Sequence, residues 1–556
     1  MQDTPPRDAV FFVPLGGTGE VGMNAYAYGH DGRWLLVDLG IGFADERHPG
    51  VDLLVPDVTF LAERRAALDG LVVTHAHEDH LGAIVHLWPQ LECPVYATPF
   101  ACAVLRRKLQ EAGLLGEVPL IELPPGACFD VGPFALEFIS LTHSIPEAQA
   151  LRIETAAGVV LHSGDWKLDP DPLVGEIYDH RRLARLRNEE VLALVGDSTN
   201  ALVPGHSGSE AEVRGRLIDL VSTLETRVVM TCFATNAARV ATAGKVAEAT
   251  GRRLCLVGRS MRTIVQAAQE VGYLADLPPT VEEREAAELP REAVLLLATG
   301  SQGEPRAALS RLARDDHPNL DLDAGDTVIF SSRIIPGNEK AIHTVQNQLL
   351  HAGVAVITEE DHHVHVTGHP CQDELIQMYD WVRPRLAVPI HGEPRHLIAH
   401  AALARRCEVP HVHVVQDGQC LRLAPDGIQV VGTVQSARLA VEGEGLAPLD
   451  AGPVRERRKL SYEGAAVVTV VLDAGGALAA PAQVTVLGLL PADDAAAREL
   501  RATVADTVER ALSKLRPRDR REETVLRETV RVATRRSLQH LVGRKPMTTV
   551  HLVRLD

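Results

Sequence analysis

The sequence predicts an α/β protein of several domains: a layered body of strands and helices with polar sites at its strand ends, a second α/β domain inserted into it, and a small α+β domain at the end. Three observations predict this. Between residues 10 and 200, short apolar runs alternate with short helical stretches, and His- or Asp-rich segments close several of the runs. From 208 to 360, strand-like runs and amphipathic helices alternate at βαβ spacing, as in a parallel sheet. From Ala465 the order is strand, strand, helix, helix, strand. At 556 residues the chain exceeds the roughly 250–300 that one core supports, so two or three domains are expected.

Taken in order, VFFVPLGG, NAYAYG and RWLLVDLG read as strand, turn and strand. LDGLVVTHAHEDHLGAI is a buried strand running into a His/Asp-rich loop and a helix start. CPVYAT, FALEFISLTHS and GVVLHSGDW continue the strands. After GDSTN at 196–200, SEAEVRGRLIDLVSTL is an amphipathic helix, and RVVMTCFATN, RRLCLVG, AVLLLATGSQGEP and DTVIFSSRIIPGNE supply the strands of the insertion. EDHHVHVTGHP and LAVPIHGEPRH return to the strand-end texture. The expected division is 1–207 for the first part of the body, 208–360 for the insertion, 361–435 for the returning part, 436–464 for a charged linker or packing arm, and 465–556 for the C-terminal domain.

Composition narrows the function classes. Apolar residues at 46% and charged residues at 23% are ordinary for a soluble globular protein. A net charge of -18 taken alone disfavours nonspecific nucleic-acid binding, which needs Lys and Arg to neutralise phosphates. The average hides an asymmetry: 501–556 carries fourteen Lys or Arg against seven Asp or Glu. Aromatic residues, at 4%, are too few for an extended base-stacking surface. The eight cysteines form no CxxC pair and read as scattered buried thiols, without a disulfide framework or zinc knuckle. MQDTPPRDAV lacks the charged and apolar regions of a signal peptide, and no run approaches the ~18 apolar residues of a membrane span. A reducing cytoplasm is the expected location.

The chemistry concentrates in His75-Ala-His77-Glu-Asp79-His80, four potential ligands in six residues. Imidazole with carboxylate suits zinc or manganese, and a loop just after a strand can turn alternate side chains toward two adjacent ions. HxHxDH is the signature of the metallo-β-lactamase superfamily, which the chain resembles. Asp38 in LLVDLG, His143 in SLTHS and Asp165 in HSGDW match the superfamily's further motifs in order, Asp38 as the residue that orients ligands from behind. Beyond Asp165 the chain is similar to the β-CASP branch, whose members act on nucleic acids. Asp197 in GDST, His369 in HVTGH and His391 in VPIHGE match that branch's motifs A, B and C. GSQGEP, IIPGNE and HVTGHP resemble the bacterial ribonuclease J family within it. Thr235 and Thr367 stand where many relatives have serine, and a hydroxyl survives at both.

The resemblance implies an αββα sandwich with an inserted β-CASP domain and a set of roles. His75, His77 and His143 hold one ion; Asp79, His80 and His391 hold the other; Asp165 bridges them. The ions are expected to be zinc, with manganese or magnesium as alternatives, about 3.5–4 Å apart, clamping the attacking and leaving oxygens and activating a bridging water as hydroxide. His369, held by Asp197, is the candidate general acid, with Asp79 also counted among the catalytic residues. The activity implied is 5′→3′ exonuclease cleavage of single-stranded RNA with a 5′-monophosphate, together with internal cleavage, in messenger decay and ribosomal RNA maturation.

A pocket for the 5′-phosphate is expected from Phe233, Thr235 and Asn236, where a helix begins, and from His365, Val366, Thr367, Gly368 and His369. Helix capping is the simpler reading of Thr235 and Asn236. Arg259, Arg262, Arg306 and Arg333 are candidates for an RNA channel, or are solvated surface residues. Gly50, Asp52 and Asp450 resemble positions of a structural calcium. A homodimer or dimer of dimers and partners in an RNA-degradation complex are expected, without a membrane. The competing readings are a β-CASP DNA nuclease, a small-molecule metallo-hydrolase, and a metal-free RNA-binding scaffold.

Overall fold

In the computed structural model, which describes residues 4–45, 47–335, 337–443, 445–490 and 494–555, the apolar runs of the first 200 residues become two facing sheets. The first has eight strands, with Val10–Gly16, Ala25–His30, Arg33–Val37 and Leu68–Val72 adjacent at its centre. The second has seven, with Leu386–Ile390, Ala193–Asp197, Gly158–His162, Gln149–Thr155 and Phe134–Ser140 adjacent. Their inner faces share one core, in which Phe12, Tyr28, Leu35 and Val72 of the first meet Phe138, Leu151, Val160 and Val388 of the second. Burial of these side chains outside water is the main force holding the sheets together. A polar contact crosses the layer between Tyr28 Oη and His162 Nδ1 at 2.9 Å.

The outer face of the second sheet is covered by the helices His180–Arg185, Gln372–Val382 and Pro394–Arg406, through Leu183, Leu375, Met378, Tyr379 and Leu403. On the first sheet's side, Ile84–Leu91 and Pro99–Glu111 bury Leu87, Trp88, Phe100 and Leu105. This is the αββα sandwich expected from the sequence. Strand Leu386–Ile390 lies beside Ala193–Asp197 in parallel register, Asp197 opposite Ile390, although the whole insertion separates them in the chain. The returning segment therefore completes the sheet at the edge of the cleft.

The insertion folds around a five-stranded parallel sheet in the order Arg253–Val257, Val294–Ala298, Val228–Thr231, Thr327–Phe330, Ala355–Ile357. Its three central strands, Val294–Ala298, Val228–Thr231 and Thr327–Phe330, are fully buried and almost wholly apolar because helices cover both faces of such a sheet. Pro336 of the IIPGNE motif lies outside the described residues.

A second compact unit is made of Phe43–Leu53 and the chain from Leu439 onward. In it, Ala465–Leu472 is flanked by Gln483–Leu487 and Met547–Arg554, and the helices Ala495–Ser513 and Glu523–Val542 pack on one face through Leu500, Val504, Val508 and Leu526. The segment 436–464 is more ordered than a linker: Leu439 pairs with Pro448 in an antiparallel hairpin, and Gly452–Glu463 is a helix that buries Val454. All eight cysteines are free thiols; Cys128 is exposed, against the expectation of burial. No helix among the described residues is long and apolar enough to cross a membrane.

Candidate metal centre

Most side chains of the expected centre sit at or just past the C-terminal end of a strand; His369 instead lies in the irregular segment before the helix Gln372–Val382, where the sequence suggested a strand. Asp38 follows Arg33–Val37, the His75–His80 loop follows Leu68–Val72, His143 follows Phe134–Ser140, and Asp165 follows Gly158–His162. Asp197 ends its own strand, and His391 follows Leu386–Ile390. Asp38 and His391 adopt left-handed backbone, at φ 60 and 52, which breaks each strand and turns the side chain into the cleft.

The imidazoles of His75, His77 and His143 converge. His75 Nε2 and His143 Nε2 each lie 3.0 Å from His77 Nδ1. Burial, reinforced by neighbouring imidazoles, holds His75 and His143 well below the usual histidine range, and burial pushes His77 down to about 4. Neutral rings with lone pairs aimed at one point are what a divalent ion requires. Beside them Asp79, His80, Asp165 and His391 bring one ligand atom each within 4.8 Å of one another. Asp165 Oδ2 lies 4.0 Å from both His75 Nε2 and His143 Nε2 and 3.2 Å from His80 Nε2. Asp165 Oδ1 lies 3.5 Å from His391 Nδ1, so one carboxylate spans both groups.

Charge tells the same story. Burial works against protonating His80 and His391, yet Asp165 and the other nearby carboxylates outweigh it and raise both, His391 to about 10. Asp79 and Asp165 are held far below the carboxylate range: burial opposes ionisation and the surrounding histidines overcome it. Anions packed this deeply require positive charge among them, which protons supply on bare imidazoles and divalent cations supply in a loaded site. The donor set therefore fits two metal ions.

The supporting contacts are equally specific. Asp38 accepts from Thr74 N at 2.8 Å and Thr74 Oγ1 at 2.9 Å, and its Oδ2 meets His80 Nδ1 at 2.8 Å, which turns His80 Nε2 toward Asp165. The Gly368 carbonyl accepts from His143 Nδ1 at 2.5 Å, so His143 presents Nε2. A Cβ at Gly368 would lie 2.6 Å from His143 Cε1, and only glycine permits this approach. His369 Nδ1 lies 2.8 Å from Asp197 Oδ2.

Of the phosphate-pocket residues, Asn236 caps the helix Ala237–Ala249 by accepting from Arg239 N at 2.8 Å, so the capping reading holds. Thr367 Oγ1 accepts from Asn200 Nδ2 at 2.8 Å, and Val366 is buried against Gly208. Nδ1 of His365 is buried without a hydrogen-bond partner among the described residues, and burial plus Arg239, Lys167 and Arg333 hold this ring neutral. Arg239 joins the two halves, since it follows Phe233, Thr235 and Asn236 and donates to Val364 O at 2.9 Å. Among the channel candidates, Arg333 donates to Asn200 Oδ1 at 3.1 Å, whereas Arg262 is engaged by Glu283 at 3.1 Å. The Gly50 carbonyl accepts from the Arg457 guanidinium at 3.4 Å, so a cation already faces that oxygen; Asp52 and Asp450 belong to the same second unit and are exposed.

Sequence reasoning missed several contributors. Asn24 Nδ2 lies 3.0 Å from His80 Nε2, and Thr199 Oγ1 lies 2.8 Å from His391 Nδ1. Buried Glu374 accepts from Leu168 N, Ser207 N, Ser207 Oγ and Cys371 N at 2.6–2.9 Å, tying together the segments after Asp165, before the insertion, and after His369. Thr199 was visible inside the GDST motif; the others had no signal beyond their residue type.

The sandwich and its strand-end His/Asp cluster define a metallo-hydrolase of the β-lactamase superfamily. Residues 33–214 match the beta-lactamase superfamily domain, 225–349 the ribonuclease J beta-CASP domain, 354–415 the Zn-dependent metallo-hydrolase RNA specificity domain, and 452–555 the ribonuclease J C-terminal domain. Ribonuclease J of Sinorhizobium meliloti is 42% identical over 100% of this chain and 99% of its own. Ribonuclease J of Mycolicibacterium smegmatis is 38% identical over 96% and 95%, and that of Thermus thermophilus 34% over 98% and 95%. The chain belongs to the ribonuclease J family. A crystal structure of a protein of unknown function from Enterococcus faecalis V583 shares the fold alone, at 14% identity and TM-score 0.53 over 75% of this chain and 100% of that one.

Proposed function

We propose that this protein is a metal-dependent ribonuclease that hydrolyses single-stranded RNA from a 5′-monophosphate end and also cleaves internally, serving messenger decay and ribosomal RNA maturation. The observation that carries the reading is Asp165: one buried carboxylate stands within 4.0 Å of a three-histidine group on one side and of His80 and His391 on the other. His75, His77 and His143 would hold one ion, Asp79, His80 and His391 the second, with Asp165 between. Zinc suits this donor set best, with manganese or magnesium as alternatives. When bound, such ions supply positive charge for the pentavalent phosphate and lower the pKa of water.

The chain's own groups do the rest. Asp197 fixes His369 by its Nδ1, which leaves Nε2–H for the leaving oxygen. Burial lowers the His369 pKa, but Asp197 and Asp165 outweigh it and raise it, so the ring keeps the proton that a general acid must donate. Asp38 and the Gly368 carbonyl hold His80 and His143 in the tautomers that present Nε2. The loop from His365 to His369 and the Phe233–Asn236 segment would receive the 5′-phosphate. The domain division 1–207, 208–360, 361–435, 436–464 and 465–556, and assembly as a homodimer within an RNA-degradation complex, complete the proposal.

The test incubates the purified chain with 5′-labelled monophosphate RNA, triphosphate RNA and matched single-stranded DNA. Mononucleotide release from monophosphate RNA alone supports the reading. Equal cutting of DNA favours a DNA nuclease, and no cutting of any nucleic acid rejects both.

A further inference from the structure

Behind the Gly196–Asn200 turn, on the side away from the metal ligands, runs a buried chain of three polar side chains. Tyr379 Oη lies 2.9 Å from His400 Nε2, and His400 Nδ1 lies 2.9 Å from Ser198 Oγ. Tyr379, His400 and Ser198 are 3%, 1% and 0% exposed. A buried polar group keeps such contacts because losing one leaves a partner unsatisfied. The His400 ring also lies flush under the turn: a Cβ on Gly196 would meet its Cε1 at 3.3 Å.

The turn it supports carries two residues of the site. Asp197 Oδ2 meets His369 Nδ1 at 2.8 Å, and Thr199 Oγ1 meets His391 Nδ1 at 2.8 Å. Ser198 stands between them in the chain with its hydroxyl turned the opposite way, into the helices Gln372–Val382 and Pro394–Arg406. Pulling Ser198 outward therefore fixes how far Asp197 and Thr199 reach inward. We propose that His400 is a positioning residue for the reaction: anchored by Tyr379, it holds Ser198 and so sets the orientation of Asp197 toward His369. Burial pushes the His400 pKa down to about 4, so at neutral pH the ring offers one N–H and one lone pair. The two flanking hydroxyls can each donate or accept, and both contacts are met in either tautomer. This inference rests on the ribonuclease reading and deepens it.

Amide side chains separate the two contacts. Asn at 400 places a polar atom near the position of Nδ1, and Gln reaches the position of Nε2. The test measures kcat, KM, bound metal and thermal midpoint for the full chain with His400→Asn, His400→Gln, Tyr379→Phe, Ser198→Ala and the Ser198→Ala/His400→Gln pair, on 5′-monophosphate RNA. His400→Gln and Ser198→Ala are expected to lower kcat about tenfold with KM and bound metal unchanged, since a small misplacement of a reacting group has that order of effect. His400→Asn is expected to retain most of kcat, Tyr379→Phe to fall between, and the pair to be no worse than either member. Equal losses in the Asn and Gln variants, additive losses in the pair, or a loss of bound metal in step with kcat would overturn the proposal. Wild-type turnover of RNA decides the ribonuclease reading, and the ratios between variants decide this one.

Discussion

Asp197 divides its carboxylate between two tasks: Oδ1 accepts from Thr199 N at 2.9 Å and Thr199 Oγ1 at 2.8 Å, while Oδ2 meets His369 Nδ1 at 2.8 Å. The first oxygen shapes the turn and the second sets the imidazole tautomer. Asp197→Asn keeps the turn acceptor and presents an amide N–H to His369 Nδ1, which forces the proton off Nδ1 and leaves a neutral ring that is a far weaker acid at Nε2, or breaks the contact. We expect kcat on RNA to fall by roughly 10²–10⁴ with little change in KM, as for other imidazoles deprived of their orienting carboxylate. A variant within threefold of wild type would remove His369 from the role of general acid.

Removing metal is expected to abolish turnover and lower the thermal midpoint together, because an ion that binds only the folded state stabilises it by mass action. Asp165 and the two histidine groups gathered around it carry this expectation. Dialysis against a chelator, followed by unfolding scans with and without added zinc or manganese, checks it. Asp79→Ala with His80→Ala should show no activity and a smaller metal-dependent gain in midpoint, since His75, His77 and His143 can still hold one ion. Protons compete for the same imidazoles, so the ion concentration needed for rescue should rise as pH falls. An unchanged midpoint on chelation would count against a metal buried among these residues.

The candidate ligand cluster was legible because its chemistry is local. His75 to His80 are adjacent, and Asp38, His143, Asp165, Asp197 and His391 each close an apolar run that the β-period identifies. The supporting residues were illegible for the opposite reason. Glu374 opens a helix as an ordinary acidic first-turn residue, and its burial depends on Ser207, 167 positions away. His400 sits on a helix whose outward face carries Arg395 and Arg406, and its partner Ser198 is 202 positions away. No pattern in one sequence reports which polar helix residue the fold will bury. The charged segment 436–464 misled in the other direction: helix Gly452–Glu463 buries little beyond Val454, so its sequence carries almost no apolar period to read.

Glu20 supplies a pH-dependent term away from the metal ligands. Its Oε2 pairs with Arg438 at 2.8 Å, and its Oε1 is buried without a hydrogen-bond partner among the described residues. Burial raises its pKa to about 7, Asp417 adding to the effect and Arg438 opposing it; burial likewise raises Asp417 to about 6. The folded protein thus binds these protons more tightly than the unfolded chain does. Their contribution to stability is complete below the ordinary carboxylate range and is lost as pH rises through 6–7. Glu20→Gln should flatten that decline by an amount on the order of 1–3 kcal/mol. Urea midpoints of chelated wild type and variant at pH 5 and pH 8 check it, and parallel pH dependences would refute it.

Arg239 anchors the loop that leads to His369, and it does so from inside a buried ion chain. Its Nη2 lies 2.8 Å from Glu210 Oε2, and its Nη1 donates to Val364 O at 2.9 Å and Ser331 O at 3.1 Å. Lys167 Nζ, 2.8 Å from Asp169 Oδ2, stands 4.0 Å from the other oxygen of Glu210, and all four side chains are fully buried. Arg239→Met therefore strands Glu210 with only the distant Lys167 and removes the Arg239 donor from the Ser331 carbonyl, while Val364 O keeps Ser331 Oγ at 2.6 Å. Breaking a buried pair by removing one partner costs roughly 3–5 kcal/mol. Replacing both, as Arg239→Met with Glu210→Gln, removes the uncompensated charge and should cost less than the single variant. Thermal unfolding of the three proteins at neutral pH measures this, and a double variant less stable than Arg239→Met would show that the chain's value lies in its shape instead of its charges. Because Val364 precedes His365, the same single variant should raise KM for 5′-monophosphate RNA more than for an RNA with a 5′-hydroxyl.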